Sequence, residues 1–193
     1  VKELTSADFS LLWPELRRWL PVHVTDVWMI GSASVVVVNP DVPAALRTSK
    51  DIDVIPVGTP ALYFDSTIME RELGEDSDFS SKHRFFVDYV SDSLLKWTPP
   101  GWQQRVTTLQ LTDGLRGHCL DPHDIAYNKL YAGRPKDIIW VRGLLGTGII
   151  GRGWRNCTPA IRWLLRTGKK WSAAWRKSGR KPERAILASG PGT

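Results

Sequence analysis

The tetrapeptide Asp51-Ile52-Asp53-Val54 constrains this chain more than any other segment. Side chains of a β-strand alternate between its two faces, so both carboxylates fall on one face while Ile52 and Val54 point toward a core. Two acids about 7 Å apart on one face repel. A hard divalent cation relieves that repulsion, since Mg²⁺ is held by one or two carboxylates together with water and substrate phosphates. Taken alone, the pattern also describes two solvated acids on an edge strand.

The flanking sequence narrows the choice. Upstream, Asp26 to Ile30 reads as a strand that runs into the tight turn Gly31-Ser32-Ala33. A turn without bulky side chains lets backbone N–H groups approach a phosphate, and a helix starting there adds its positive end. Val35-Val36-Val37-Val38 follows. β-branching favours a strand for these four valines, whereas a strand-turn-helix unit requires them to be helical, and the sequence leaves both open. Downstream, Phe85-Phe86-Val87-Asp88-Tyr89-Val90 alternates as a strand with Asp88 on the face of Phe86 and Val90. If that strand neighbours the first, Asp88 joins Asp51 and Asp53 in a three-carboxylate nest for one or two metal ions. An acid at a strand end, turned to solvent, is the alternative for Asp88.

Elsewhere, cap-type Thr5, Ser6 and Asp8 precede Phe9, Leu12, Leu16, Trp19 and Leu20, a helical spacing that Pro14 kinks or restarts. Residues 39–50 read as loop, 51–57 as strand and 61–73 as helix, followed by a charged, mobile-looking stretch from Gly74 to Lys82. Arg105 to Leu111 and, more weakly, Leu115 to Leu120 read as strands. Asp121-Pro122 opens a helix that ends before Gly133, and Pro135 opens another through Leu145. This order predicts an α+β (mixed α/β) fold, a small mixed sheet covered by helices.

Of 193 residues, 26 are Lys or Arg and 20 are Asp or Glu, but the excess is not uniform. Residues 152–193 hold eleven of the basic residues and a single acid, Glu183, so the rest of the chain is mildly acidic. We therefore expect a domain over residues 1–150 and a basic, Trp-rich extension over 151–193. Trp154, Trp163, Trp171 and Trp175 among those cations could stack on RNA bases, dock a solvated helix, or belong to a segment read in an altered frame. No apolar run approaches membrane-spanning length and no signal-like segment opens the chain, which predicts a cytoplasmic protein without a membrane partner. Cys119 and Cys157 are isolated and read as small, partly buried thiols.

The strand, Gly31-Ser32, Asp51-x-Asp53 and a later acid together resemble the nucleotidyltransferase superfamily. Arg47-Thr48-Ser49-Lys50-Asp51-Ile52-Asp53-Val54 and residues 124–137, from Asp124 through Lys129 and Arg134 to Asp137, look like a bacterial family of uncharacterised nucleotidyltransferase-like proteins. They are also similar to abortive-infection toxins of toxin–antitoxin systems. The resemblance implies Asp51, Asp53 and Asp88 as catalytic, metal-holding carboxylates, Gly31 and Ser32 against nucleotide phosphate, and Lys129 at the triphosphate. It implies Mg²⁺ as cofactor and metal-dependent transfer of a nucleoside monophosphate from NTP to RNA, protein or a small molecule, with a cognate antitoxin as partner if the protein is a toxin. The alternative is a catalytically inactive module of the same fold that binds nucleic acid or a partner protein through the basic tail.

The remaining candidates have blander readings beside the functional one. Arg47 and Lys50 flank the acids and could bind phosphate, although loop charges commonly only solvate a loop. Lys129 alone reads as a snorkelling lysine, and Arg134, Lys136 and Asp137 as exposed helix charges. Gly146-Thr147-Gly148-Ile149-Ile150-Gly151 matches a dinucleotide-binding glycine pattern but follows a helix rather than a strand, so it reads as a helix end. His23, His83, His118 and His123 show no metal-type pairing.

Overall fold

A computed structural model describes residues 2–57 and 66–151 of the chain. Two compact units divide it, Val1–Ile125 and Ala126–Thr193. The first is α+β. Its elements are β1 (Lys2–Glu3), α1 (Ser6–Trp19), β2 (Asp26–Met29), α2 (Gly31–Val38), α3 (Ala44–Arg47), β3 (Thr48–Ser49), β4 (Asp51–Pro56), α4 (Ser66–Leu73), α5 (Asp78–His83), β5 (Phe86–Tyr89), β6 (Thr107–Thr112) and β7 (Leu115–Cys119). Helix α6 (Pro122–Ala132) crosses the boundary, and α7 (Pro135–Thr147) lies in the second unit.

Five strands form one mixed sheet in the order β5-β4-β2-β7-β6. Strand β2 runs antiparallel to β4 and parallel to β7, β4 is parallel to β5, and β6 closes the far edge antiparallel to β7. Register and alternation sort the side chains cleanly. One face carries Val27, Met29, Ile52, Val54, Val87, Leu115 and Cys119, all buried. The other carries Asp51, Asp53, Asp88, Asp26, Trp28, Arg116, His118 and Thr108, with Ile55 and Phe86 as its buried apolar members.

Helix α1 starts at a cap in which the Asp8 carboxylate accepts from the Thr5 N–H at 2.9 Å and the Thr5 hydroxyl at 2.8 Å, and it buries Phe9, Leu12, Trp13 and Leu16. It runs through Pro14 without restarting. Pro14 and Ser10 both lie on the exposed side, so the Ser10 carbonyl that loses its helical donor faces water rather than the core. The four valines are helical. Val35 and Val36 are buried, each worth about 1.5–3 kcal/mol, which outweighs a helix-propensity cost below about 0.7 kcal/mol per residue. Ser34 anchors the same helix by donating to the Leu120 carbonyl at 3.1 Å.

Two segments are more structured than expected. Residues 39–50, read as loop, contain α3 and β3, and β3 pairs antiparallel with β1. The charged stretch after Gly74 contains α5, because Ser77 caps it by accepting from the Ser80 N–H at 3.1 Å while donating to the Gly74 carbonyl at 2.7 Å. Phe79 then packs edge-on against Phe85 with ring centroids 5.2 Å apart, giving the polar helix an apolar anchor. The weakly read strand, β7, is interior to the sheet. The helix expected over 61–73 is α4 from Ser66 onward, and its earlier residues, like the tail 152–193 with Cys157, lie outside the described residues. Among the described residues no helix is long and apolar enough to cross a membrane.

Asp26 lies on the polar face of the sheet and accepts from Arg116, Thr25 and His118. The Arg116 hydrogen bond, followed by partial burial that opposes it, sets a carboxyl pKa lowered to about 2. A depressed folded-state pKa stabilises the fold above the unfolded value near 4 and loses that contribution as pH falls toward about 2. Asp26→Asn is therefore expected to cost on the order of 1–2 kcal/mol at neutral pH, less than full linkage because Arg116 is largely solvated. Urea denaturation between pH 2 and 6 checks it: the variant's curve should converge on the wild type's at the acid end, and a constant offset would reject the assignment.

Candidate active site

Strand β2 delivers the chain to Gly31, which takes φ +72° at the start of α2. A glycine is required here for two reasons. Left-handed φ is costly with a side chain, and a Cβ would fall 2.1 Å from Asp53 Oδ2. The Asp53 carboxylate therefore sits directly against the first residue of α2, where backbone N–H groups without an intrahelical acceptor and the helix dipole favour negative charge. The N-cap residue, Ile30, has no side-chain acceptor of its own to offer. The backbone reinforces the approach, with the Ile30 N–H donating to the Asp53 carbonyl at 3.2 Å.

The third acid joins from β5. Its parallel pairing with β4 sets Asp51 beside Phe86 and Asp53 beside Asp88, so the three carboxylates share one face of two adjacent strands. Burial first, then the negative charges of Asp51, Glu70 and Glu75, raise the Asp88 pKa from its ordinary value. The cluster thus carries electrostatic repulsion in its free state. The acids are not gathered into a finished cage: among the described residues, no three His, Cys, Asp or Glu side chains stand close enough together to hold a metal ion.

Ser49 is the residue the sequence reading did not single out. It is buried, donates to Asp51 Oδ1 at 2.7 Å, and lies 3.4 Å from the Ser32 hydroxyl. A continuous polar chain therefore runs from the Gly31-Ser32 turn through Ser49 to Asp51. The only sequence signal for it was a small polar residue two positions before the first acid.

Arg47 does not point a free guanidinium at this cluster; it is paired with Glu3 and also donates to the Pro40 carbonyl at 3.3 Å. That pairing ties β1 to the end of α3. Lys50 pairs with Glu75 and lies over the Phe86 ring. Asp124, near the start of α6, is buried and held by Arg105 through both carboxylate oxygens at 3.0 and 2.6 Å.

Lys129 belongs to the second unit. Its side chain is 16% exposed, with Nζ 3.5 Å from Asp137 Oδ1 and 4.8 Å from the centre of the Trp140 ring. Asp137, for which an exposed helix charge is one of the two readings, is fully buried and accepts from Arg134 at 2.6 and 3.1 Å. The difference arises because Asp137 lies four and seven residues before the buried Val141 and Leu144, on the same face of α7, where Arg134 and Lys129 compensate its charge. Lys136 is exposed as expected. The glycine run after α7 is a helix end, with Gly148 at φ +80°. Cys119 is buried, its thiol pushed up to about 12 by burial, which makes it unreactive.

With this geometry in place, the comparison with known families is decisive for class. The profile of a family described as a nucleotidyltransferase of unknown function (DUF6036) matches residues 20–146, well over half of the chain. The chain belongs to that family. No curated protein and no solved structure matches it. In this nucleotidyltransferase, the matched segment takes in Gly31, Ser32, Ser49, all three carboxylates, Lys129 and Asp137.

Proposed function

We propose that this family member transfers a nucleoside monophosphate from an NTP to an acceptor hydroxyl, with pyrophosphate leaving, using Asp51, Asp53 and Asp88 to hold Mg²⁺. The observation that carries the reading is the Asp53–Asp88 register on one sheet face, with the Asp53 carboxylate lodged against the N-terminus of α2. Hard carboxylate oxygens are the donor type Mg²⁺ selects, and this ion uses only one or two of them beside water and phosphate. These carboxylates would complete an Mg²⁺ site only together with water and the triphosphate's own oxygens.

When bound, Mg²⁺ lowers the pKa of an acceptor hydroxyl and neutralises charge on the leaving oxygen. The protein's own share is positioning, which dominates catalysis of phosphoryl transfer. The Gly31-Ser32 turn presents backbone N–H groups to phosphate. Ser49 fixes the rotamer of Asp51, and the glycine at position 31 lets Asp53 approach that same turn. A toxin role with a cognate antitoxin would be one biological use of such transfer.

The test is transfer of label from each of the four α-labelled NTPs, with and without Mg²⁺, to total RNA or lysate protein. Wild type should label one acceptor class only when Mg²⁺ is present. Asp51→Ala combined with Asp53→Ala should reduce labelling by about a thousand-fold or more, a loss comparable to removing a principal transition-state stabiliser. Equal labelling by the double variant would reject the assignment.

A further inference from the structure

The polar face of the sheet carries something the carboxylates do not explain. Trp28 lies on β2 directly across from Ile55, and Ile55 is two residues from Asp53, so Trp28 and the acids occupy the same face. Strand spacing and rise put the Trp28 and Asp53 backbones about 8 Å apart. On the other side of β2, His118 is the register partner of Trp28 and shares that face. The rings of Trp28 and His118 are 4.9 Å apart at centroid, and Trp102 meets Trp28 edge-on at 4.9 Å.

This aromatic group is held rigidly yet is not sealed. His118 is fixed at both ring nitrogens, 2.8 Å from Asp26 Oδ1 and 2.9 Å from the Thr108 hydroxyl. Trp102 is buried, whereas Trp28 is only half-buried and the His118 side chain keeps 19% of its surface. A cluster serving only the core would be expected to bury all three. Rigid, partly exposed aromatic surface next to a phosphate-handling site suits a flat heteroaromatic ring, because every nucleobase has a π-face to stack.

Building on the transferase reading above, we propose that Trp28, braced by Trp102 and His118, is the stacking platform for the base of the incoming nucleotide. The triphosphate then lies toward Asp53 and the Gly31-Ser32 turn, one strand over and two residues along. Stacking of this kind tolerates any base, so it supplies affinity and orientation rather than sharp selectivity among the four NTPs.

Calorimetric binding to the full chain in the presence of Mg²⁺ tests this, comparing each NTP with ribose 5-triphosphate, which lacks a base. Wild type should bind the NTPs about ten-fold or more tightly than the base-free compound. Trp28→Leu should erase that difference while leaving affinity for ribose 5-triphosphate unchanged, and Trp28→Tyr should restore most of it. Equal wild-type affinities for NTP and ribose 5-triphosphate overturn the platform but leave the transferase reading standing, and this comparison needs no variant to fold. A preserved difference in a folded Trp28→Leu protein also overturns it. Absence of binding by both compounds overturns the transferase reading and the platform together.

Discussion

Gly31→Ala is expected to slow nucleotidyl transfer by about a hundred-fold while leaving a folded, less stable protein. The backbone contribution is about 1–2 kcal/mol for placing an L-residue in the left-handed region, since Gly31 sits at φ +72°. For a chain of this size that lowers the melting temperature by roughly 2–8 °C. The larger effect is local. The new methyl would arrive 2.1 Å from Asp53 Oδ2, so the carboxylate must leave its place against α2. Asp53 is central to the proposed chemistry, and misplacement of about 1 Å can cost a hundred-fold in rate. Thermal melting followed by labelled-NTP transfer checks both parts. A variant that melts as wild type and transfers normally would show that neither the turn geometry nor the Asp53 approach matters.

Asp137→Ala is expected to produce the largest stability loss of any single charge removal among the described residues of the second unit. Its carboxylate is fully buried, takes two hydrogen bonds from Arg134 and lies 3.5 Å from Lys129 Nζ. Removing one member of a buried ion pair typically costs about 3–5 kcal/mol, because the partner's charge is left desolvated. Here Arg134 is 58% exposed and can rehydrate, whereas the Lys129 side chain at 16% cannot do so as readily. We therefore expect about 2–3 kcal/mol. Asp137→Asn, which keeps the shape and an acceptor oxygen, should cost less, and adding Lys129→Met to Asp137→Ala should recover part of the loss. Urea denaturation of the three variants measures this, and a cost for Asp137→Ala below about 0.5 kcal/mol, the range of ordinary surface changes, would contradict the burial argument.

Much of the candidate site is legible in the sequence because its signals are local. A two-residue period places Asp51 and Asp53 on one face, and a glycine followed by a small polar residue after an apolar strand marks a tight turn. Asp88 was a different kind of case. Its own segment showed an acid within an apolar strand, but its place beside Asp53 depends on which strands pair and in what register. Ser49 had even less local signal: its importance lies in one side-chain contact to Asp51 and another toward Ser32, which no spacing rule encodes.

Local chemistry fixes the periodic and capped features: helix α1 behind Thr5 and Asp8, the turn at Gly31, the alternating strand β4 and the proline-led starts of α6 and α7. Each rests on bonds or steric limits within a few residues. Only the tertiary structure decided that Val35 to Val38 are helical, that α5 orders an otherwise polar stretch, that Asp137 is buried, and that Trp28 shares a face with the carboxylates. Those outcomes turn on burial against distant partners, whose contributions exceed the local propensities, and on strand register, which no single segment contains.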